Sequence, residues 1–322
     1  MSRIALIAMI ASLNAVAPAQ DYETEVAELA RASRLRVKPL ESDAFIFAST
    51  LSVSLTRPIA KAADDAFKQW QKISGVESWK DMWGRKKCLV IVCNNKIQHR
   101  RAIAWYDKKY TTYGGFGSYA PKQSYWPQPS PRVTIFMHAR PISVKHLRNV
   151  AAHVVGHMCV IRYGYNNRPS PPWLEEGFGC YLEARVMRRT NCYCFGGGYG
   201  DQAGNMEKLA DIEWKKWKET VRKMVRKKSD KPLKAILPLR MNQIAAPEMG
   251  KSWSIIDYLI TQDRKKFCLF LRKLKTYWPK TYDPAFTPAM EKAQERALRD
   301  SFDLTLTELD EAWRKWAKGG MK

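Results

Sequence analysis

Two histidines four positions apart, His153 and His157, are the feature that most limits how this chain can fold. Residues four apart lie one above the other on the same face of an α-helix, so a helix here turns both imidazoles the same way. After eighteen intervening residues the sequence reaches Glu176, at the start of what reads as a second helix. Imidazole nitrogens and a carboxylate oxygen are ligands that zinc prefers. The spacing therefore predicts two packed helices around a metal site formed by His153, His157 and Glu176.

The sequence around these residues resembles the gluzincin metallopeptidases, and more specifically the peptidase-MA-like domains with HExxH and WLxEG motifs. HVVGH stands at the position of HExxH, and the second glutamate of WLEEGFGCYLE stands at the third ligand position. YGGFGSYAPK with RVTIFMH looks like the strand pair before the metal helix, and GKSWSIIDYLI and LTELDEAWRKW look like the later helices. The resemblance implies one domain over residues 43–318, with His153, His157 and Glu176 as zinc ligands.

The resemblance breaks at the residue that would activate water. In HExxH the glutamate takes a proton from the metal-bound water, and this chain has Val154 there. Valine cannot accept a proton, and losing a general base typically slows a reaction by about 10²- to 10⁴-fold. A tyrosine that the family often places near the later GKSW segment aligns with Met249, although Tyr258 lies nearby. We therefore assign no catalytic residue and expect a catalytically impaired homologue; an active zinc hydrolase with an unusual base is the alternative.

Other residues near the motif have weaker roles. Glu175 points about 100° away from Glu176 around the helix axis and is a poor replacement base. Glu183, two turns after Glu176, is placed to support a ligating histidine, with an ordinary surface carboxylate as the alternative. Cys180, one turn after Glu176, is expected to be a small buried residue rather than a ligand or nucleophile. The remaining histidines have no ligand spacing and are expected to be capping, surface or packed residues: His99, His138 and His146.

The N-terminus has the pattern of a secretory signal peptide over residues 1–19. Arg3 is followed by an apolar run to Val16 and by the small-residue sequence Ala17-Pro18-Ala19. Residues 20–42 form a lead-in to the domain. This pattern predicts export to a periplasmic or extracellular location, with an uncleaved N-terminal anchor as the alternative. The chain after the apolar run has no segment of the roughly 20 apolar residues that a transmembrane helix needs.

A strongly basic charge balance adds a third functional class. The chain has 55 Lys and Arg against 31 Asp and Glu, a formal net charge of +24. Such a charge favours anionic partners, here an anionic envelope polymer or a membrane surface. A peptide is the partner expected for a peptidase homologue. Residues 214–234 combine apolar positions at helical spacing with many Lys and Arg; a helix packed on the domain is the favoured interpretation. Nothing indicates a specific nucleic acid, and the sequence does not predict an oligomeric state.

The order of predicted elements indicates an α+β fold, a small mixed β-sheet subdomain followed by a mainly helical, zincin-like subdomain. Apolar runs rich in β-branched residues predict strands, and apolar positions at helical spacing predict helices. Export would permit disulfides, but seven cysteines are an odd count, so at least one thiol is free or paired between chains. Cys88 and Cys93 flank a strand-like LVIV in the expected core. The predicted strands are 43–54, 87–93 and 132–137, and the helices of the second part include 142–162, 175–188, 206–228, 234–242 and 252–277.

Overall fold

The computed structural model describes residues 22–110, 124–125, 133–139, 144–163, 170–190, 212–240, 243–279 and 287–321. The predicted signal peptide and the glycine-rich sequence CYCFGGGYG lie outside these residues. A five-stranded sheet forms the first part of the fold, in the order β1-β2-β3-β5-β4. Its strands are β1 (Lys38–Glu41), β2 (Phe45–Ser49), β3 (Cys88–Cys93), β4 (Ser124–Tyr125) and β5 (Thr134–His138), and its helices are α1 (Tyr22–Ser33), α2 (Val53–Ser74), α3 (Lys80–Trp83) and α4 (Lys96–Tyr110).

The second part is mainly helical, so the α+β fold predicted from the sequence is confirmed. Its helices are α5 (Val144–Arg162), α6 (Pro172–Met187), α7 (Trp214–Arg226), α8 (Leu233–Ile236), α9 (Ala246–Gln262), α10 (Arg264–Tyr277), α11 (Pro288–Phe302) and α12 (Leu306–Gly319). Between α6 and α7 a small antiparallel pair joins β6 (Arg189–Thr190) to β7 (Ile212–Glu213).

The sheet is mixed, with parallel strands at its centre and antiparallel strands at its edges. β2, β3 and β5 run parallel, whereas β1 and β4 pair antiparallel at the two edges. β3 (CLVIVC) is buried along its whole length, as expected for a parallel strand covered on both faces. The lead-in segment is structured, since it supplies α1 and the edge strand β1. Val26 and Leu29 of α1 pack with α4 on one face of the sheet, while α2 packs on the other.

Helix α6 lies at the centre of the helical part. Every residue from Trp173 to Ala184 is buried, and α6 packs against α2, α5 and α9. Close packing against α9 depends on Gly177, where a Cβ atom would lie 2.9 Å from the carbonyl carbon and oxygen of Ser252. A helix surrounded in this way holds its side chains in fixed positions, which suits a site built from them.

Three predicted helices have different bounds in the structure. The predicted helix 252–277 is two helices, because Asp263 has an extended backbone and its side chain accepts hydrogen bonds from the first N–H groups of α10. The predicted helix 206–228 begins only at Trp214, since residues 212–213 form β7; residues 206–211 lie outside the described part. The predicted helix 234–242 is reduced to α8, which ends before Pro238, a residue whose ring and missing N–H oppose helix continuation.

The basic helix α7 is packed on the protein. Its apolar residues Trp217, Val221 and Val225 are buried, and the Trp217 ring lies 6.2 Å from that of Trp253 on α9. This confirms the packed-helix interpretation of the sequence. Across the described residues, the helices all fall short of the length and hydropathy needed to cross a bilayer. All five cysteines in the described part are buried, including Cys88 and Cys93 in the core.

Candidate metal centre

Helix α5 brings the two histidines of the motif together in the interior. His153 and His157 are 1% and 0% exposed, and their Nε2 atoms lie 3.0 Å apart. Burial lowers the pKa of His157 to about 3, although the Glu176 charge acts in the opposite direction. The His157 ring is therefore neutral at ordinary pH and keeps a lone pair on one nitrogen, as metal coordination requires.

Glu176 of α6 completes the predicted group of three. Its Oε2 lies 3.5 Å from His153 Nε2, and its Oε1 lies 3.4 Å from His157 Nε2. The ligand atoms of these three buried residues lie within 4.8 Å of one another, so the cluster could hold a metal ion. Both oxygens of this fully buried carboxylate lack a hydrogen-bond partner among the described residues. A buried carboxylate in that state is costly unless a cation balances it, and a shared cation would satisfy all three side chains.

Glycines allow the two helices to meet at the cluster. A Cβ atom on Gly156 of α5 would lie 2.7 Å from Gly179 Cα on α6. A Cβ atom on Gly179 would in turn lie 3.0 Å from His153 Nε2 and 3.1 Å from His157 Nε2. Gly179 thus leaves open the space beside the two nitrogens that face Glu176. The donor set, the orphaned carboxylate and this space all fit a metal ion.

A carboxylate stands behind each histidine ring. Glu183 is fully buried and its Oε2 lies 3.3 Å from His153 Nδ1, while its Oε1 accepts a hydrogen bond from Asn149 Nδ2 at 2.9 Å. Glu183 therefore lies beside the histidine that it was predicted to support, and the surface-carboxylate alternative is wrong. Carboxylates in this position fix the orientation of a ligating imidazole and raise its basicity.

Glu175 faces the Nδ1 atom of the other histidine, His157, as Glu183 faces the Nδ1 atom of His153. Its Oε2 lies 3.6 Å from His157 Nδ1, and its Oε1 accepts a hydrogen bond from the Ser170 N–H at 2.9 Å. Burial raises the pKa of Glu175 to about 8, against the Ser170 hydrogen bond and the charge of Lys275. Lys275 is also buried and donates to the carbonyl oxygens of Ile161 and Tyr163. Because Glu175 contacts Nδ1 and not Nε2, it lies behind the ring, away from the space beside Gly179.

The residues at the two positions where the sequence departs from the gluzincin motifs, Val154 and Met249, are apolar and buried. Val154 is fully buried, and its side chain has no proton acceptor. Met249 is buried on α9. Tyr258 lies nine residues further along α9, about two and a half turns, and its ring packs 5.5 Å from that of Trp316 on α12. That contact directs the Tyr258 ring at α12.

The Cys180 thiol lies near the predicted metal ligands, which the sequence did not indicate. It is buried, as expected, but it forms a second group of potential metal ligands with His153 and Glu183. That group lies where Glu183 contacts Nδ1 of His153, opposite Nε2. Cys159, also buried, has its thiol pKa raised well above the ordinary value by burial.

Two of the remaining histidines lie together, away from the motif. The rings of His99 on α4 and His138 on β5 are 4.8 Å apart, and both residues are buried. They are packed residues, one of the three alternatives that the sequence left open for them. The positions of Asn149, Gly179 and Lys275 beside the cluster were not predicted from the sequence. For Asn149 a signal existed, because it precedes His153 by four residues and so shares its helix face.

Comparison with known proteins adds one match. A family described as "Protein of unknown function (DUF1570)" matches residues 146–280. The matched region contains His153, His157, Glu176 and their supporting residues Asn149 and Glu183. No curated protein matches the chain.

Proposed function

We propose that this chain is an exported gluzincin-like metallopeptidase homologue that binds zinc through His153, His157 and Glu176 and has impaired hydrolytic activity. The observation that carries the proposal is the buried Glu176 carboxylate. Its two oxygens have no hydrogen-bond partner in the described part of the chain and lie 3.4–3.5 Å from two histidine Nε2 atoms. Two histidines and a carboxylate are a ligand set of catalytic zinc sites in metallopeptidases. The export half of the proposal rests on the N-terminal sequence alone.

The supporting residues are consistent with a preserved binding site. Glu183 and Glu175 face the Nδ1 atoms, so both rings present Nε2 toward Glu176. Bound zinc would polarise a substrate carbonyl and lower the pKa of a bound water. The chain itself supplies ligands and orientation, but Val154 offers nothing to accept a proton from such a water. This combination favours retained binding with impaired hydrolysis.

Metal content and affinity test the binding half. We expect purified wild-type protein to contain about one zinc per chain. His153→Ala and Glu176→Gln should remove it, while His146→Ala, a change to a histidine on the same helix α5, should retain it. Elemental analysis with a competitive chelator titration measures both quantities. A metal-free wild type that takes up no zinc on titration would refute this half.

Restoring the missing carboxylate tests the catalytic half. We expect Val154→Glu to cleave a peptide library faster than the zinc-loaded wild type by about 10²- to 10⁴-fold. Val154→Gln, of similar size but without a basic carboxylate, is the matched control and should remain slow. If the wild type cleaves as fast as Val154→Glu, and chelation or Glu176→Gln abolishes this cleavage, the chain is the active hydrolase instead.

A second candidate function rests on the outer face of α7. Arg222, Lys223, Arg226 and Lys227 line a hollow of about 420 Å³ that contains one acidic side chain, Glu219. Because the apolar stripe of α7 is buried, this helix can offer charge but not apolar surface to a membrane. We propose that this basic face binds an anionic polysaccharide by its repeated charges.

Charge removal tests this second function. Replacing Lys223, Arg226 and Lys227 together with glutamine should weaken binding to a heparin oligosaccharide at low ionic strength by at least about tenfold. The control replaces three exposed basic residues outside α7 and should change affinity much less: Arg36, Lys38 and Arg100. Equal losses in the two triple variants, or binding insensitive to salt, would exclude a specific role for this face.

A further inference from the structure

A second hollow lies where α2, α5 and α6 meet, and it has a mixed charged and apolar lining. Its volume is about 430 Å³, within the range of small-ligand pockets. The charged wall is formed by Arg57, Lys61, Asp65 and Arg148, and the apolar wall includes Val186 and Met187. Neither the candidate metal ligands nor the basic face of α7 contribute to it.

The charges of this hollow are not balanced. Lys61 and Asp65 form an ion pair at 2.7 Å and offset each other. Within the described part of the chain, Arg57 and Arg148 have no ion pair with an acidic side chain. The Nε atom of Arg148 is buried and has no hydrogen-bond acceptor among the described residues. A buried guanidinium N–H without an acceptor is unfavourable, and an anionic group bound in the hollow would supply one.

The chemistry of the two walls defines a ligand. Guanidinium groups bind carboxylates through paired, charge-assisted hydrogen bonds. Val186 and Met187 offer apolar surface for a neighbouring group of a few carbon atoms. We propose that this hollow binds a carboxylate joined to a short apolar group, either the C-terminal residue of a peptide or a free short-chain acid.

The position of the hollow connects it with the candidate metal centre. Arg148 directly precedes Asn149, which donates to Glu183, the carboxylate behind His153. Val186 and Met187 lie one turn after Glu183 on α6. The hollow is therefore lined by residues that are next to Asn149 in sequence and one turn from Glu183, although neither of these two residues lines it. The binding itself uses no metal, so it does not depend on the proposed function.

Titration of three probes onto chelator-treated, full-length protein tests the proposal, with binding followed by NMR. The probes are an N-acetylated dipeptide ending in leucine, the C-terminal amide of that dipeptide, and hexanoate. We expect at least one of the acids to bind with a dissociation constant of about 0.1–1 mM, and the amide at least about tenfold more weakly. Tighter binding of the dipeptide identifies a peptide C-terminus as the ligand, and equal or tighter binding of hexanoate identifies a free acid. Absence of binding by both acids, or equal binding of acid and amide, would overturn the proposal.

Two arginine variants locate the site. Arg148→Gln and Arg57→Gln should each weaken binding of the acid by at least about tenfold. Arg100→Gln, a change to an exposed arginine on α4, is the matched control and should retain wild-type affinity. Arg57 is exposed, so its replacement remains informative even if Arg148→Gln disturbs folding. If Arg57→Gln binds the acid with wild-type affinity, and Arg148→Gln folds and does the same, the ligand lies elsewhere and the assignment is refuted.

Discussion

Replacing Glu176 with methionine should change stability in opposite directions with and without zinc. In metal-free protein the wild-type carboxylate is buried beside two histidine nitrogens, and neither of its oxygens accepts a hydrogen bond from the residues that the structure describes. Methionine has a similar size and no polar group that needs a partner. Exchanging buried ionic groups for apolar ones of similar volume is often neutral or stabilising by about 1–4 kcal/mol. We therefore expect Glu176→Met to raise the free energy of unfolding of the chelated protein by about that amount.

With zinc the sign reverses. Zinc at 1,000 times its dissociation constant stabilises the wild type by about 4 kcal/mol, reduced by any binding to the unfolded chain. Glu176→Met removes one ligand and with it most of this stabilisation. The stability difference between variant and wild type should thus shift by about 4 kcal/mol on zinc addition.

Denaturant unfolding with chelator and with excess zinc measures both differences. Glu311→Met, a change at an exposed glutamate on α12, is the control and should shift stability by less than about 0.5 kcal/mol in either condition. If Glu176→Met destabilises the chelated protein as much as the zinc-loaded one, the carboxylate has a structural role that does not involve a metal, and our reasoning about its orphaned oxygens is wrong.

Gly177→Ala should destabilise the fold by about 1–3 kcal/mol, because its Cβ would lie 2.9 Å from the Ser252 backbone. Gly319→Ala is the control and should not destabilise it, since open space surrounds that position. Thermal unfolding of the two variants checks this prediction. Glu183→Gln should keep the fold but weaken zinc affinity by about 10- to 100-fold, as a chelator competition would show; unchanged affinity would contradict its supporting role. Burial lowers the pKa of Lys275 to about 7 from 10.5. Between those pH values the unfolded chain binds more protons at this lysine than the folded chain does. The free energy of unfolding therefore rises with pH there, by at most about 1.4 kcal/mol per pH unit. Below pH 7 this lysine contributes no pH dependence. Lys275→Met should therefore flatten the stability profile from pH 7 to 10, and a profile parallel to the wild type would exclude this effect.

Much of the fold was predictable because its signals are local. The apolar run of β3 predicts a strand covered on both faces, and the four-residue spacing of His153 and His157 predicts that their rings share a helix face. The errors in helix bounds arise where a side chain caps a helix inside an apolar pattern or where a short segment pairs with a distant strand. Asp263 divides a continuous helical pattern by capping α10, and residues 212–213 pair with β6 instead of extending α7.

The sequence by itself determined which residue types stand at positions 153, 157 and 176, their spacing, and the valine at position 154. It could not determine what surrounds them, because periodicity gives the face of a helix but not the residue that packs against that face. Only the tertiary structure showed that Gly156 and Gly179 bring α5 and α6 into contact. It also decided between the two alternatives for Glu183, which is buried beside His153 and not on the surface. The contact between α5 and α6 leaves both oxygens of Glu176 buried beside the histidine nitrogens, a juxtaposition that arises from packing between helices distant in sequence.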